Sequence, residues 1–254
     1  MKKLDAGDIP EYRNHLVKAF SYIRSNPTVL RGCPHIAQLS GNISNILRDF
    51  NNPQKWKLDV DPAWVIPIES DGRNFEENEA LLVLSGIMTV NNSKFEMYTF
   101  VSSIVLVSEN ADDANNQIPF EDYCEHKHIY RDRLTRRFHF DLAARQNGDT
   151  KPRSHFQFGG KEQKSHYIYS LNPRISIPRI PYPPIDFIIL FDMMLRQFRT
   201  RIRSRFYDSK EWINLVKKSE SYRLKSYYDL IQNYFTHSHR KPLSDKFSDE
   251  KFFC

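Results

Sequence analysis

The chain has 254 residues, enough for one large domain with a real core or for a domain with a helical appendage. Its net charge of +6 and pI near 9.1 favour anionic partners. Three dispersed cysteines, Cys33, Cys124 and Cys254, exclude a disulfide framework. They fit a reducing compartment, so a cytoplasmic protein is expected.

The opening MKKLDAGDIPEY lacks the apolar core of a signal peptide. The longest apolar run, Ile185 to Leu195, is interrupted by Asp192 and is too short to cross a bilayer. No membrane partner is expected.

Residues 8–25 read as a helix, with Asp8 as N-cap, Pro10 early, and Leu16, Phe20 and Ile23 as the apolar stripe. Asn26-Pro27 stops it. A second helix is expected over 34–50, carried by Ile36, Leu39, Ile43, Ile46, Leu47 and Phe50, which would complete an N-terminal helical hairpin. His15 and His35 read as surface or packing residues.

The character changes at Trp56. WKLDVDPAWVIPIE, ALLVLSGIMTV and KFEMYTFVSSIVLVS are strand-like runs of β-branched, aliphatic and aromatic residues, with Asn91-Asn92-Ser93 as a turn. Trp56 and Trp64 read as core or sheet-edge packing. The acidic ENADDANNQ stretch after them reads as a solvated loop. Cys124, His126 and His128 would share one face of a strand, as at a zinc corner, but no second ligand pair follows at recognisable spacing. Neither a metal nor another cofactor is expected.

The chemistry concentrates between Arg136 and Phe187. In RRFHFDL, Phe138, Phe140 and Leu142 alternate with Arg137, His139 and Asp141. In RSHFQF, Ser154, Phe156 and Phe158 alternate with Arg153, His155 and Gln157. Asn147-Gly148 and Pro152 mark the loop between them. An antiparallel pairing centred near Asn147 would set His139 opposite His155, Asp141 opposite Arg153 and Arg137 opposite Gln157, with Cβ atoms roughly 5 Å apart.

Two imidazoles on one face suit general acid and base, with Asp141 fixing a tautomer and arginine meeting charge on phosphorus. The bland alternative is a half-buried sheet in which His139 and Asp141 are merely hydrogen-bonded. A further strand is expected over His166 to Ser170. The proline-rich segment 172–184 should then lie extended across the sheet edge, fixing Arg174 and Arg179.

Pro183 and Pro184 introduce a helix in which Phe187, Phe191, Met194, Phe198, Ile202 and Phe206 recur at three- and four-residue steps. Arg196, Arg199, Arg201, Arg203 and Arg205 crowd its later part, guanidinium groups at one-turn spacing that suit a phosphate backbone or an acidic protein. Helices over 210–218, capped by Ser209, and over 220–235 follow. The latter mixes tyrosines with Arg223 and Lys225, a pattern for packing or for base stacking. Residues 236–254 read as a polar tail.

FHFD, the SHFQ segment and ISIPRIPYPPIDFI together resemble a bacterial family of short proteins of unknown function, patterned RFDY, a loop, HPxSHL, then RIPxxxPL. The matching positions are Phe138, Asp141, Ser154, His155, Ile177, Pro178 and Pro181. More distantly the block resembles the TumE-type toxin family, which implies ribonuclease activity. The histidine that opens HPxSHL in the family of short proteins is absent, Pro152-Arg153-Ser154-His155 standing in its place, so His139 would have to substitute.

The expectation is an α+β fold: an N-terminal helical hairpin over 1–54, an antiparallel sheet of five to seven strands with a closing helix over 55–206, and C-terminal helices over 207–254. The expected role is nucleic-acid binding, RNA ahead of DNA, in a bacterial toxin or phage-defence module. Its enzymatic form is a metal-independent ribonuclease. His139, His155, Arg153, Asp141 and Arg179 are the catalytic candidates. Arg137, Arg174, Arg196, Arg199 and Arg203 are the nucleic-acid ligands. The rival is a non-catalytic subunit that docks on a partner protein through the arginine-rich helix. P-loop, dinucleotide, HExxH and GxSxG patterns are absent from the sequence.

Overall fold

A computed structural model describes residues 8–26, 47–48, 54–68, 80–91, 94–106, 134–142, 154–158, 180–200 and 202–236. Within them the fold is α+β, built on an antiparallel sheet whose strands are neighbours in chain order: β1 (Leu47–Arg48), β2 (Trp56–Ile68), β3 (Ala80–Asn91), β4 (Lys94–Leu106), β5 (Leu134–Leu142), β6 (Ser154–Phe158) and β7 (Ile180–Pro181). Helix α1 (Asp8–Ser25) precedes the sheet. Helices α2 (Phe187–Gln197), α3 (Arg203–Tyr207), α4 (Lys210–Arg223) and α5 (Lys225–Thr236) follow it. Among the described residues no helix is long and apolar enough to cross a membrane.

Strand alternation decides the layers. Leu58, Leu82, Leu84, Tyr98, Phe100, Phe140 and Leu142 are buried on the face that meets the helices. Helix α2 lies at the centre of that layer. The Phe187 ring packs on Trp64 at 5.0 Å and on Phe20 of α1 at 5.8 Å. One turn on, Phe191 meets Trp64, Phe206 and Trp212 at 5.7, 5.4 and 5.6 Å. Each such ring withdrawn from water contributes about 1.5–3 kcal/mol. Trp56 and Trp64 are core residues, as the sequence suggested.

Gly86 makes this packing possible between β3 and β4. A Cβ there would stand 2.3 Å from Phe100 Cδ1 and 2.7 Å from the Thr99 carbonyl oxygen. The missing side chain lets the Phe100 ring lie across its neighbour strand. In β2 the register shifts between Val60 and Trp64. Pro62, which has no N–H to give a ladder, falls in that interval.

Two expectations are corrected here. Leu47 and Arg48 are strand, not the end of a helix: they pair with Leu58 and Lys57 at the sheet edge. Long-range pairing overrides a local helical pattern; the rest of the expected second helix lies outside the described residues. The arginine-rich helix is also not continuous. It ends at Gln197, where Phe198 turns extended (φ −115°, ψ 138°). Thr200 then forms an isolated antiparallel bridge to Ile68 before α3 begins. The expected strand 166–170, the acidic loop and the Cys124–His128 segment lie outside the described residues.

Helix α2 is capped by Asp186, whose Oδ1 accepts from Ile189 N at 2.8 Å, satisfying a donor the helix itself cannot. Ser209 caps α4 in the same way, accepting from Trp212 N at 3.2 Å. The Tyr22 hydroxyl reaches Ser209 Oγ at 2.6 Å, tying α1 to the start of α4.

Candidate functional site

The histidines lie where alternation put them, on the sheet face opposite α2, but with different partners. His139 pairs with Gln157 and Asp141 pairs with His155. This is a two-residue slip from the expected register. It keeps every side chain on its face and changes what each one meets. Ring packing fixes it: Phe140 lies 5.2 Å from Phe156, and Phe138 lies 5.5 Å from Phe158. On the same core face, Ser154 Oγ meets the Tyr98 hydroxyl at 3.0 Å.

His155 Nε2 therefore stands 3.6 Å from Asp141 Oδ2, while the two histidines are diagonal neighbours, about 7–8 Å apart along the sheet. Neither ring is open to solvent. His139 is 8% exposed and His155 5%, and Leu81, Val83 and Val101 on this same face are buried with them. Thus the sheet brings His139, Asp141, His155 and Gln157 together, but as a packed polar cluster rather than as the wall of a hollow. Arg137 takes the strand position opposite Ser103; its side chain, and Arg153, Arg174 and Arg179, lie outside the described residues. Of the proline-rich segment, the described Ile180 and Pro181 do lie at the sheet edge, paired with Phe156 and His155.

The second set of predicted residues is on the surface. Arg196 and Arg203 lie on the two sides of the helix break and converge on one ring, Tyr207. The Arg196 guanidinium carbon is 4.5 Å from its centroid and that of Arg203 is 5.5 Å. These are cation–π distances. Tyr207 itself is 44% exposed. Arg199 and Arg205 are exposed nearby in sequence, in the break and in α3. The break thus brings Arg196 and Arg203 onto one tyrosine in place of the one-turn ladder the sequence suggested.

Arg196 is held from below. Its Nε donates to Asp192 Oδ2 at 2.5 Å, and the other carboxylate oxygen accepts from Trp212 Nε1 at 2.8 Å. Both oxygens of a buried carboxylate are engaged, as a buried charge requires. The pairing with Asp192 raises the Arg196 pKa above its ordinary value, so the group is a permanent cation. Tyr207 went unrecognised in the sequence; the signal was an aromatic residue closing the arginine run at RSRFY.

A third cluster, unpredicted, is internal. The Tyr12 hydroxyl donates to Asp186 Oδ2 at 2.9 Å. His15 Nε2 meets Ser219 Oγ at 2.9 Å. Arg223, 5% exposed, lies 5.4 Å from the Tyr98 centroid. Burial, then the nearby Asp186 charge, push the Tyr12 hydroxyl well above its ordinary pKa. Burial also raises the Tyr98 pKa above its ordinary value, opposed by Arg223. These groups join α1, the start of α2, β4 and the end of α4. A groove of about 560 Å³ between α1 and α4 is lined by Lys18, Tyr22, Glu211 and Leu215 among others, and includes none of the predicted site residues.

Among the described residues no group of three or more His, Cys, Asp or Glu is placed to hold a metal ion. No family model, no curated protein and no solved structure matches the chain. The functional reading rests on its own residues.

Proposed function

We propose that this protein binds nucleic acid through the surface formed by Arg196, Arg199, Arg203, Arg205 and Tyr207. The observation that carries the reading is the convergence of Arg196 and Arg203 on a half-exposed tyrosine ring. Guanidinium groups meet phosphate oxygens bidentately, and an accessible aromatic ring offers a face to a base. Arg196 is pre-positioned by Asp192, so less conformational freedom is lost on binding. The net charge of +6 adds long-range attraction. RNA is the preferred substrate, in a toxin or defence setting, following the resemblance of the central block.

The test is fluorescence anisotropy with a labelled RNA at low salt, comparing wild type with an Arg199→Gln, Arg203→Gln double variant. About tenfold weaker binding by the variant is expected. Equal affinity, or loss of a protein complex with RNA binding intact, moves the surface to a docking role on an acidic partner protein.

A second reading, ribonuclease activity of the histidine cluster, is favoured by the Asp141–His155 contact and by the shared face of His139 and His155. It requires the buried rings to become accessible to a substrate. Cleavage of a fluorogenic RNA by wild type, abolished in a folded His155→Gln variant, would support it.

A further inference from the structure

A second exposed aromatic surface lies at the far end of the sheet. Strands β5, β6 and β7 extend the core face toward its edge, where Phe158 is 49% exposed and Ile180 48%. The rings there already stack on one another. Phe138 lies 5.9 Å from Phe156 with a 19° interplanar angle. Phe158 is edge-on to Phe156 at 4.8 Å. Tyr182 lies 6.0 Å from Phe156.

Tyr182 is half-buried beside these rings. A core-facing sheet surface normally hides such rings, so this run of partly exposed aromatics calls for an occupant.

We infer that the aromatic edge formed by Phe158, Phe156 and Tyr182 stacks unpaired bases, and that the nucleic acid bound by this protein is single-stranded. The inference rests on the nucleic-acid reading above and names its substrate class. Continuity with the cations carries the choice of occupant. The Tyr182 hydroxyl meets Met193 Sδ at 3.5 Å. Arg196 follows Met193 by three residues on α2, so the two are neighbours one turn apart. Arg196 in turn lies on Tyr207.

A strand of nucleic acid can thus lay its phosphates along the arginines and its bases toward the rings. Paired bases keep their faces within the duplex stack, so a duplex offers these rings nothing. An apolar peptide would use the rings but not the adjoining guanidinium groups.

Anisotropy with labelled oligouridine and with a duplex of equal length tests this, using Phe158→Leu and Tyr182→Leu, which keep apolar bulk and remove the ring. Phe158→Tyr serves as the conservative control, and circular dichroism confirms the fold of each. Both Phe158→Leu and Tyr182→Leu should weaken oligouridine binding about tenfold. Duplex binding should be unchanged, and Phe158→Tyr should bind as wild type. Wild-type affinity for oligouridine in both variants would overturn the stacking surface and leave the arginine reading standing. Failure of wild type to bind either probe would overturn both.

Discussion

The Tyr12 hydroxyl donates a 2.9 Å hydrogen bond to Asp186 Oδ2, joining residues 174 apart in sequence. Asp186 is fully buried and its other oxygen caps α2. The first helix and the central helix are thus locked together by one carboxylate, and α2 carries both Asp192 and Arg196 toward the arginine surface. Tyr12→Phe leaves the shape intact and removes one donor to a buried acceptor. It should cost about 1–3 kcal/mol of unfolding free energy, read as a lower urea midpoint with an unchanged slope. An unchanged midpoint would show that the bond contributes nothing.

Gly86 sets a sharper condition. Any side chain there meets Phe100 Cδ1 at 2.3 Å and backbone oxygen at 2.7 Å. The Phe100 ring is fully buried and cannot swing out without leaving a cavity. Gly86→Ala should therefore destabilise by about 1–3 kcal/mol through overpacking. A thermal midpoint equal to wild type would mean that β3 and β4 separate easily at this point.

Burial holds the His15 pKa below the ordinary imidazole value; Lys218 and Lys18 add to the shift and Asp186 opposes it. The ring also faces Ser219 Oγ and the rings of Tyr12 and Tyr222. With the folded value depressed, the unfolded chain takes up the proton first as pH falls. The contribution of His15 is complete above its unfolded pKa, about 6.5. It is lost as pH drops from there through the folded value. Urea midpoints should therefore fall more between about pH 7 and pH 5 in wild type than in His15→Gln. Identical pH profiles would show that His15 does not titrate with unfolding.

Trp212→Phe keeps the ring packing of α4 on Phe191 and Phe206 while removing the donor to Asp192 Oδ1. A bond to a charged acceptor is worth about 1.5–3 kcal/mol, so destabilisation of that order is expected in a urea titration. RNA affinity should also fall, because the Asp192 carboxylate that positions Arg196 loses one of its two donors. Unchanged stability would make the Asp192–Arg196 pair independent of Trp212.

The strands were legible because alternation is a local signal: Phe138, Phe140 and Leu142 turn to the core as their spacing requires. The register of β5 on β6 was not, because the intervening segment does not dictate it and both registers bury the same face. Packing of Phe140 on Phe156 chooses between them. The break after Gln197 was equally hidden. Phe198, Ile202 and Phe206 continue a helical rhythm, while the Thr200–Ile68 bridge that interrupts it is a long-range contact. Of the proposed binding surface, the arginines could be read from composition. Tyr207 stands at the end of that run, but its place beside Arg196 and Arg203 depends on the same break.

Phosphate contact by Arg196, Arg199, Arg203 and Arg205 is the feature on which the proposed function stands. Its most direct test is the slope of log affinity against log salt for a labelled RNA, measured for wild type and for Arg203→Gln. Each phosphate contact contributes about 0.7 to the slope for a single strand. A steep wild-type slope that becomes shallower by about that amount in the variant is expected. A flat wild-type slope, or one that Arg203→Gln leaves unaltered, would contradict it.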